Sequence, residues 1–351
     1  MTFTLRLNPC YELTQKDKNS KIKNRNISKG GAVMHNLTFS DINNAEFTLY
    51  ENNPVIKNPA SSFVIADPSV LTPDESHDGK WHLFCHTFFG VFRYESTDGI
   101  SFKKAEKIVR RAMRPNINRI DGRYYLYYER TRPVILNALS LLGVKWKSEI
   151  YCTESDDFSS WSEPYHVIQK SLYYEEDNKG QAISNPFLIE KDGSYRMYYS
   201  CGQTFIKDCG FCEPTHISFA ESDNPSSGYI SRNEPIISPD KNKEYLNLCS
   251  GCLKVYKLKD CYIGLQNGIF EKNGKSHSAI MLLRSDDGES FEFVKSFLAP
   301  QKCGKSNWMA QYVYACCLTY YEGKLRLYFN ARNVSDNLRG RESIGIFEAE
   351  I

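Results

Sequence analysis

A short turn recurs along this chain at nearly constant intervals, and that regularity restricts the fold more than any other feature. It reads Glu95-Ser96-Thr97-Asp98-Gly99, Glu154-Ser155-Asp156-Asp157, Glu221-Ser222-Asp223-Asn224 and Arg284-Ser285-Asp286-Asp287-Gly288, with starts 59, 67 and 63 residues apart. In three copies a Ser and an aromatic follow, at Ser101-Phe102, Ser160-Trp161 and Ser290-Phe291, so the turn and the next strand repeat together. Self-similarity at a fixed period marks architectures in which each repeat buries its faces against its neighbours.

A hairpin precedes each turn. Asp67-Pro68-Ser69-Val70-Leu71 leads to Trp81-His82-Leu83-Phe84, Arg114-Pro115-Asn116-Ile117 to Tyr124-Tyr125-Leu126-Tyr127, and Asn185-Pro186-Phe187-Leu188 to Tyr195-Arg196-Met197-Tyr198. Cys252-Leu253-Lys254-Val255 to Tyr262-Ile263-Gly264-Leu265 and Cys316-Cys317-Leu318 to Leu325-Arg326-Leu327-Tyr328 repeat it without the Pro. The linkers Asp121-Gly122, Asp192-Gly193 and Glu322-Gly323 suit hairpins, because Gly tolerates the positive φ that such turns require. Alternating aromatic runs, drawn from 23 Tyr and 20 Phe, fit a pleated, half-buried surface.

Five hairpins, each with a third strand and usually a fourth, predict an all-β fold: a five-bladed β-propeller of four-stranded antiparallel blades over residues 45–351. The last blade lacks an outer strand at its C-terminal end, and Glu46-Phe47-Thr48-Leu49-Tyr50 is expected to supply it, closing the ring and removing an open edge. Residues 1–44 lie outside the repeat. Their run from Lys16 to Lys29 is polar and almost free of apolar side chains, which predicts a mostly flexible N-terminal extension.

A formal charge of +2 gives no global attraction to nucleic acid or to an anionic membrane. No stretch approaches the ~20 apolar residues needed to cross a bilayer. Met1 to Arg6 does not open a secretory signal, so a cytoplasmic location is expected. The twelve cysteines then read mainly as reduced, buried thiols. Two pairs have Cys-x-x-Cys spacing, Cys209 with Cys212 and Cys249 with Cys252. If neighbouring blades bring them together, they form a tetrahedral zinc site; without that, no cofactor is expected.

Propeller geometry puts the starts of the innermost strands and the loops between second and third strands on one face. The long segments Glu129 to Ser148, Cys201 to His216, Gln266 to Ser278 and Asn330 to Ser343 all belong there, and long loops on a rigid scaffold usually carry the site. The inner-strand starts are expected to bring Asp67, Arg114, Asn185 or Ser184, and Ser250 to the channel mouth.

Ala66-Asp67-Pro68-Ser69-Val70, following Asn53-Pro54-Val55-Ile56, resembles the opening of family 43 glycoside hydrolases, and more loosely families 32 and 130. The resemblance implies a saccharide as ligand and gives Asp67 the role of general base on water. It also implies a second Asp at the blade 2 motif and a Glu acid at the blade 3 strand start, where this chain has Met113-Arg114-Pro115 and Ser184-Asn185-Pro186. Glycosidic chemistry needs two carboxyl groups, so the acid is sought elsewhere on the same face: Glu129 first, because a strand end positions it, then Glu175, Glu176, Asp177 and Glu213. Substrate contacts are expected from His86, Arg114, Arg130, Asn185, His216, Gln266 and Arg332. The crowd of Arg residues fits a charged sugar, or phosphate in a phosphorylase. The missing carboxylates keep a non-catalytic carbohydrate-binding protein open as the alternative.

Overall fold

The computed structural model describes residues 34–133, 144–177, 179–303, 307–336 and 338–351. The fold is a five-bladed β-propeller. In blade 1, Ala66–Leu71, Trp81–Thr87, Gly90–Ser96 and Lys103–Val109 pair in that order, and blade 4 follows with Cys249–Lys257, Tyr262–Lys272, Lys275–Ser285 and Glu292–Leu298. Blade 3 has Ile183–Lys191, Ser194–Cys201, His216–Ser222 and Ile230–Ser231. Blade 2 is wider: outside Ala112–Ile120, Arg123–Thr131 and Trp146–Ser155 it carries Tyr165–Ile168, and Gly180–Gln181 pairs in parallel with the start of its third strand.

Blade 5 joins Tyr312–Tyr321, Lys324–Arg332 and Glu342–Glu350 to Thr48–Leu49, which pairs antiparallel with Glu348 and Phe347. The ring is therefore closed by the early strand, as expected. Asn53 extends the closure with its side chain, which donates to the Ile346 carbonyl at 2.7 Å and accepts from the Ile346 amide at 2.8 Å. Residues 34–44 depart from expectation. They include a short helix, Phe39–Asn43, capped by Thr38, and they bury Leu37 and Ile42 against blades 4 and 5. Two apolar anchors so close together were too weak a period to read as an element. The rest of the expected extension, residues 1–33, lies outside the described residues.

Inner strands face neighbours on both sides, so they are almost continuously buried, and the core lies between blades rather than within them. Val70, Leu83 and Phe92 of blade 1, for example, pack with Tyr328, Ile344 and Ile346 of blade 5. The recurring turn holds blades together. In blade 1 the Asp98 carboxylate accepts from the amides of Ile100 and Ser101, and Asp287 repeats this with Glu289 and Ser290. Neighbouring strands clasp the turns: Tyr328 and Arg326 donate to the carbonyls of Gly99 and Asp98, and Tyr198 and Arg196 both donate to that of Gly288.

One expected loop is absent. The segment after Gln266 continues as strand to Lys272 and returns at Lys275 through Asn273-Gly274, both with positive φ (55° and 73°). Asn-Gly is the strongest two-residue hairpin signal, and here it simply lengthens blade 4.

Candidate active site

The mouth is built by the same device in every blade. Each inner strand opens with a bulge in which three steps match two on its partner, between Ala66 and Ser69, Met113 and Asn116, Ser184 and Phe187, Cys249 and Cys252, and Val313 and Cys316. Four bulges contain a left-handed residue: Asp67 (φ 54°), Arg114 (52°), Asn185 (51°) and Gly251 (67°). A bulge turns a side chain away from the sheet plane, and a non-glycine residue held at positive φ costs free energy that functional sites often carry. At Gly251 a Cβ would come within 1.8 Å of the Asn267 carbonyl oxygen, so that position requires glycine.

Asp67 and Arg114 meet through His86. Its Nδ1 lies 3.1 Å from Asp67 Oδ2 and 3.3 Å from the Arg114 amide nitrogen, so it donates to the first or accepts from the second. Asn330 Oδ1 accepts from the Asp67 amide at 3.1 Å, while its Nδ2 donates to Glu342, which also receives Arg332 Nη1 at 2.9 Å. Burial pushes the Asp67 carboxyl up, but the hydrogen bond and charge of His86, with Arg114 and Lys254, outweigh it and hold the pKa below the ordinary value. Asp67 is thus kept ionised.

Glu213 has the opposite environment. Burial pushes its carboxyl up to about 8, and the charges of Glu342 and Asp67 act in the same direction against the opposing pull of Arg114 and Arg332. Its position comes from an insertion in blade 3, the hairpin Thr204–Ile206 with Phe211–Glu213. The tip is pinned across the ring. Asp208 accepts from the amide and hydroxyl of Ser276, both at 2.9 Å, and the Tyr312 hydroxyl lies 2.7 Å from both Ser276 Oγ and Cys209 Sγ. Glu342 is likewise raised by burial, with Arg332 pulling it back.

The other expected residues divide. Arg114 reaches the mouth, where its guanidinium is paired with Glu129. Glu129, the first choice for the acid, is completely buried, holds Arg114, and among the described residues leaves Oε1 without a hydrogen-bond partner. A group enclosed in this way supports a neighbour instead of meeting a substrate. Glu176 is ion-paired with Lys170, whose hydrogen bond and charge lower its pKa, and it sits on the edge pairing with Gln181 outside blade 2. Glu175 is buried and accepts from Tyr199 and two amides, and Asp177 accepts from the amides of Lys179 and Gln203.

Among the binding candidates, Asn185 occupies the blade 3 bulge, buried, with its amide on Ser184 Oγ. Gln266 is buried and donates to the Ser250 carbonyl at 2.8 Å, fixing the blade 4 strand start. His216 bonds Ser238, and burial lowers its pKa. Arg130, one residue past Glu129 and so on the other side of its strand, lies over the Tyr151 ring. Arg332 is buried and bonds Glu342 and the carbonyls of Val334 and Asp336. The expected convergence of arginines therefore reduces to Arg114 and Arg332, each already facing a carboxylate.

The cysteine pairs are not assembled as expected. Among the described residues no group of three or more His, Cys, Asp or Glu side chains is placed to hold a metal ion. Cys209 is bound into the Ser276–Tyr312 network, Cys249 lies against the Ile269 carbonyl, and burial raises the pKa of all four thiols. The pairs follow from strand-start and hairpin packing, and the eleven described cysteines are free.

Sequence reasoning missed Lys254, Asn330 and Glu342. Lys254 was visible as a lone charge inside an apolar inner strand; it is buried, with its ammonium 5.2 Å from the Phe187 ring centre. Glu342 had no signal beyond its place at a strand start. Beyond these groups, a cavity of about 220 Å³ fills the far half of the channel, lined by Val70, Asn116, Tyr256 and Tyr320, with Met34 and His35 also on its wall.

No family model matches the chain, and no curated protein matches its sequence. Solved structures do. An N-acetylgalactosamine deacetylase from F. plautii, in complex with blood group B trisaccharide, matches with a TM-score of 0.62 at 13% identity over 86% of this chain and 94% of that one. The catalytic domain of a Coprinopsis cinerea family 62 α-L-arabinofuranosidase gives 0.61 at 16% identity, over 85% and 95%. A structure from family 130, described as mannoside phosphorylases that include glycoside hydrolases targeting β-1,2 mannosidic linkages in Candida mannan, gives 0.57 at 15%, over 86% and 93%. The likeness is one of fold, and it agrees with the propeller that the sequence resemblance implied. No helix among the described residues is long and apolar enough to cross a membrane.

Proposed function

We propose that this chain is a glycoside-active enzyme, a hydrolase that works at the channel mouth with Asp67 as general base and Glu213 as general acid. The observation that carries this reading is the opposite surroundings of two carboxyl groups in one charge cluster: Asp67 lies 3.1 Å from His86 Nδ1, whose bond and charge lower its pKa against burial, while burial raises Glu213 to about 8. Two carboxyls driven apart in pKa are the recurrent acid–base arrangement of glycosidic chemistry. Asp67, ionised, takes a proton from water as the water attacks the anomeric carbon. Glu213, protonated at neutral pH, gives its proton to the departing glycosidic oxygen. His86 and Arg114 keep the base charged, and the bulge at Asp67 aims it. The solved relatives, two of them glycosidases or glycosidase-family proteins and one a deacetylase with a bound trisaccharide, support saccharide as the substrate class.

The test is a panel of alkyl glycosides and disaccharides, whose basic leaving oxygens need a proton, run with and without inorganic phosphate. Turnover without phosphate, falling at least ~100-fold in Asp67→Asn and in Glu213→Gln, is the expected result. Turnover only with phosphate would make the protein a phosphorylase, and saccharide binding without turnover would make it a lectin-like relative. Activity surviving both substitutions would remove these residues from the chemistry.

A further inference from the structure

Beside the mouth, three phenylalanines stand in solvent. Phe63 is 37% exposed, Phe88 47% and Phe89 48%. Phe88 and Phe89 form the turn between the second and third strands of blade 1, just after His86, and Phe63 lies four residues before Asp67. The rings of Phe63 and Phe88 meet edge to face at 6.3 Å, and the Arg341 guanidinium covers Phe63 at 4.1 Å. Hydrophobic side chains grouped on a surface mark a binding site far more often than scattered ones do.

The backbone under the rings is fixed. Ser62, buried, accepts from the Phe88 amide at 3.4 Å and donates to the Val64 carbonyl, while Asn58 bonds the Ser62 carbonyl and Thr87 accepts from the Phe89 amide. The platform is also continuous with the charge cluster, because the Glu342 amide donates to the Phe63 carbonyl at 2.9 Å while the Glu342 carboxylate holds Arg332 and Asn330. Aromatic faces offer an apolar surface to the C–H faces of a sugar ring, and the polar groups of the mouth lie next to them.

From this we infer that Phe88 and Phe89, with Phe63 packed beside them under Arg341, form a subsite that stacks a second sugar residue, so that the substrate is an oligosaccharide extending from the mouth across the rim of blade 1. This rests on the glycoside-active reading and adds to it the length of the substrate and the side on which it leaves the mouth. Arg341, lying over Phe63, borders the same subsite.

The experiment compares Phe88→Ala, Phe89→Ala and the double variant with the wild type on two substrates of the same sugar: a glycosyl fluoride, which has no group to reach the platform, and the disaccharide. Both positions are exposed turn residues, and thermal unfolding within about 2 °C of wild type confirms an intact fold. The expected result for the double variant is kcat/KM unchanged within twofold on the fluoride and lowered at least tenfold on the disaccharide, mostly through KM. Equal losses on both substrates, or none on either, overturn the subsite. If the wild type turns over neither, the catalytic reading fails and the platform is read by binding to a glycan array. Binding lost in the double variant upholds it, while binding unchanged, or absent in the wild type, overturns it. A wild-type self-association that the double variant abolishes, without saccharide binding, would assign the rings to a protein contact.

Discussion

Glu213→Gln separates the proton at the mouth from the shape of the mouth. In the folded chain burial pushes the Glu213 carboxyl up to about 8 from its ordinary 4.5, so folding favours its protonated form. That contribution is whole below the unfolded pKa and is lost as pH rises toward 8, with an upper bound of about 5 kcal/mol for a shift of this size. The wild type should therefore lose stability between about pH 4.5 and 8, and Glu213→Gln, neutral throughout, should flatten that slope in urea titrations followed across pH. Asp67 acts in reverse: its lowered pKa stabilises at neutral pH and is lost as pH falls through the folded value. Catalysis should follow the same two groups, declining above about pH 8 as Glu213 ionises and on the acid side as Asp67 is protonated. A flat pH–rate profile would contradict both roles. The place of Asp67 at a strand start was legible because Asp-Pro there is a local pattern, while its role was given only by the resemblance. Glu213 was visible only as one of several loop acids, since its proton affinity comes first from burial in the folded ring and then from the charges of Glu342 and Asp67, distant in sequence.

The hairpin that carries Glu213 is held by the Asp208–Ser276 bonds and by one buried hydroxyl, that of Tyr312. Tyr312→Phe removes the contacts to Ser276 and Cys209 while keeping the ring beside Phe211. The expected cost is about 1–2 kcal/mol in denaturant unfolding, with a larger fractional loss in turnover than at a remote latch of equal cost. Tyr328→Phe is that remote comparison: it deletes the bond to the Gly99 carbonyl on the opposite face and should cost about 1 kcal/mol with kcat unchanged. A matching loss of kcat in both would show that the hairpin has no special role. The Ser-Asp turns and Asp-Gly hairpins were readable because Asx turns and type I′ turns depend on adjacent residues. Their clasping by Arg-x-Tyr on the neighbouring blade was not, because it joins residues such as Tyr328 and Gly99 that only the closed ring brings together. The Gln266 to Ser278 segment is a hairpin and not the expected loop, and its only local mark is Asn273-Gly274 at the turn.

At the scale of the ring, closure depends on few groups. Asn53→Ala leaves the Ile346 amide without the partner that its side chain provides at 2.8 Å, while the Ile346 carbonyl loses one donor at 2.7 Å and keeps the Tyr50 amide at 3.1 Å, and the loss should cost about 1–3 kcal/mol. Calorimetry should show a lower Tm with a single cooperative transition; a separate early transition would mean that blade 5 opens alone. The ring itself was legible from the period, and its closing strand from the missing outer strand of the last blade. The order in which such a chain becomes available also matters. Thr48 leaves the ribosome three hundred residues ahead of its partner Glu348, so throughout synthesis the first and fourth blades exist with one gap unfilled and apolar faces such as Val70 and Phe92 uncovered. Contacts of such long sequence separation form slowly, so the unfinished chain shows to solvent the apolar faces that the finished ring hides.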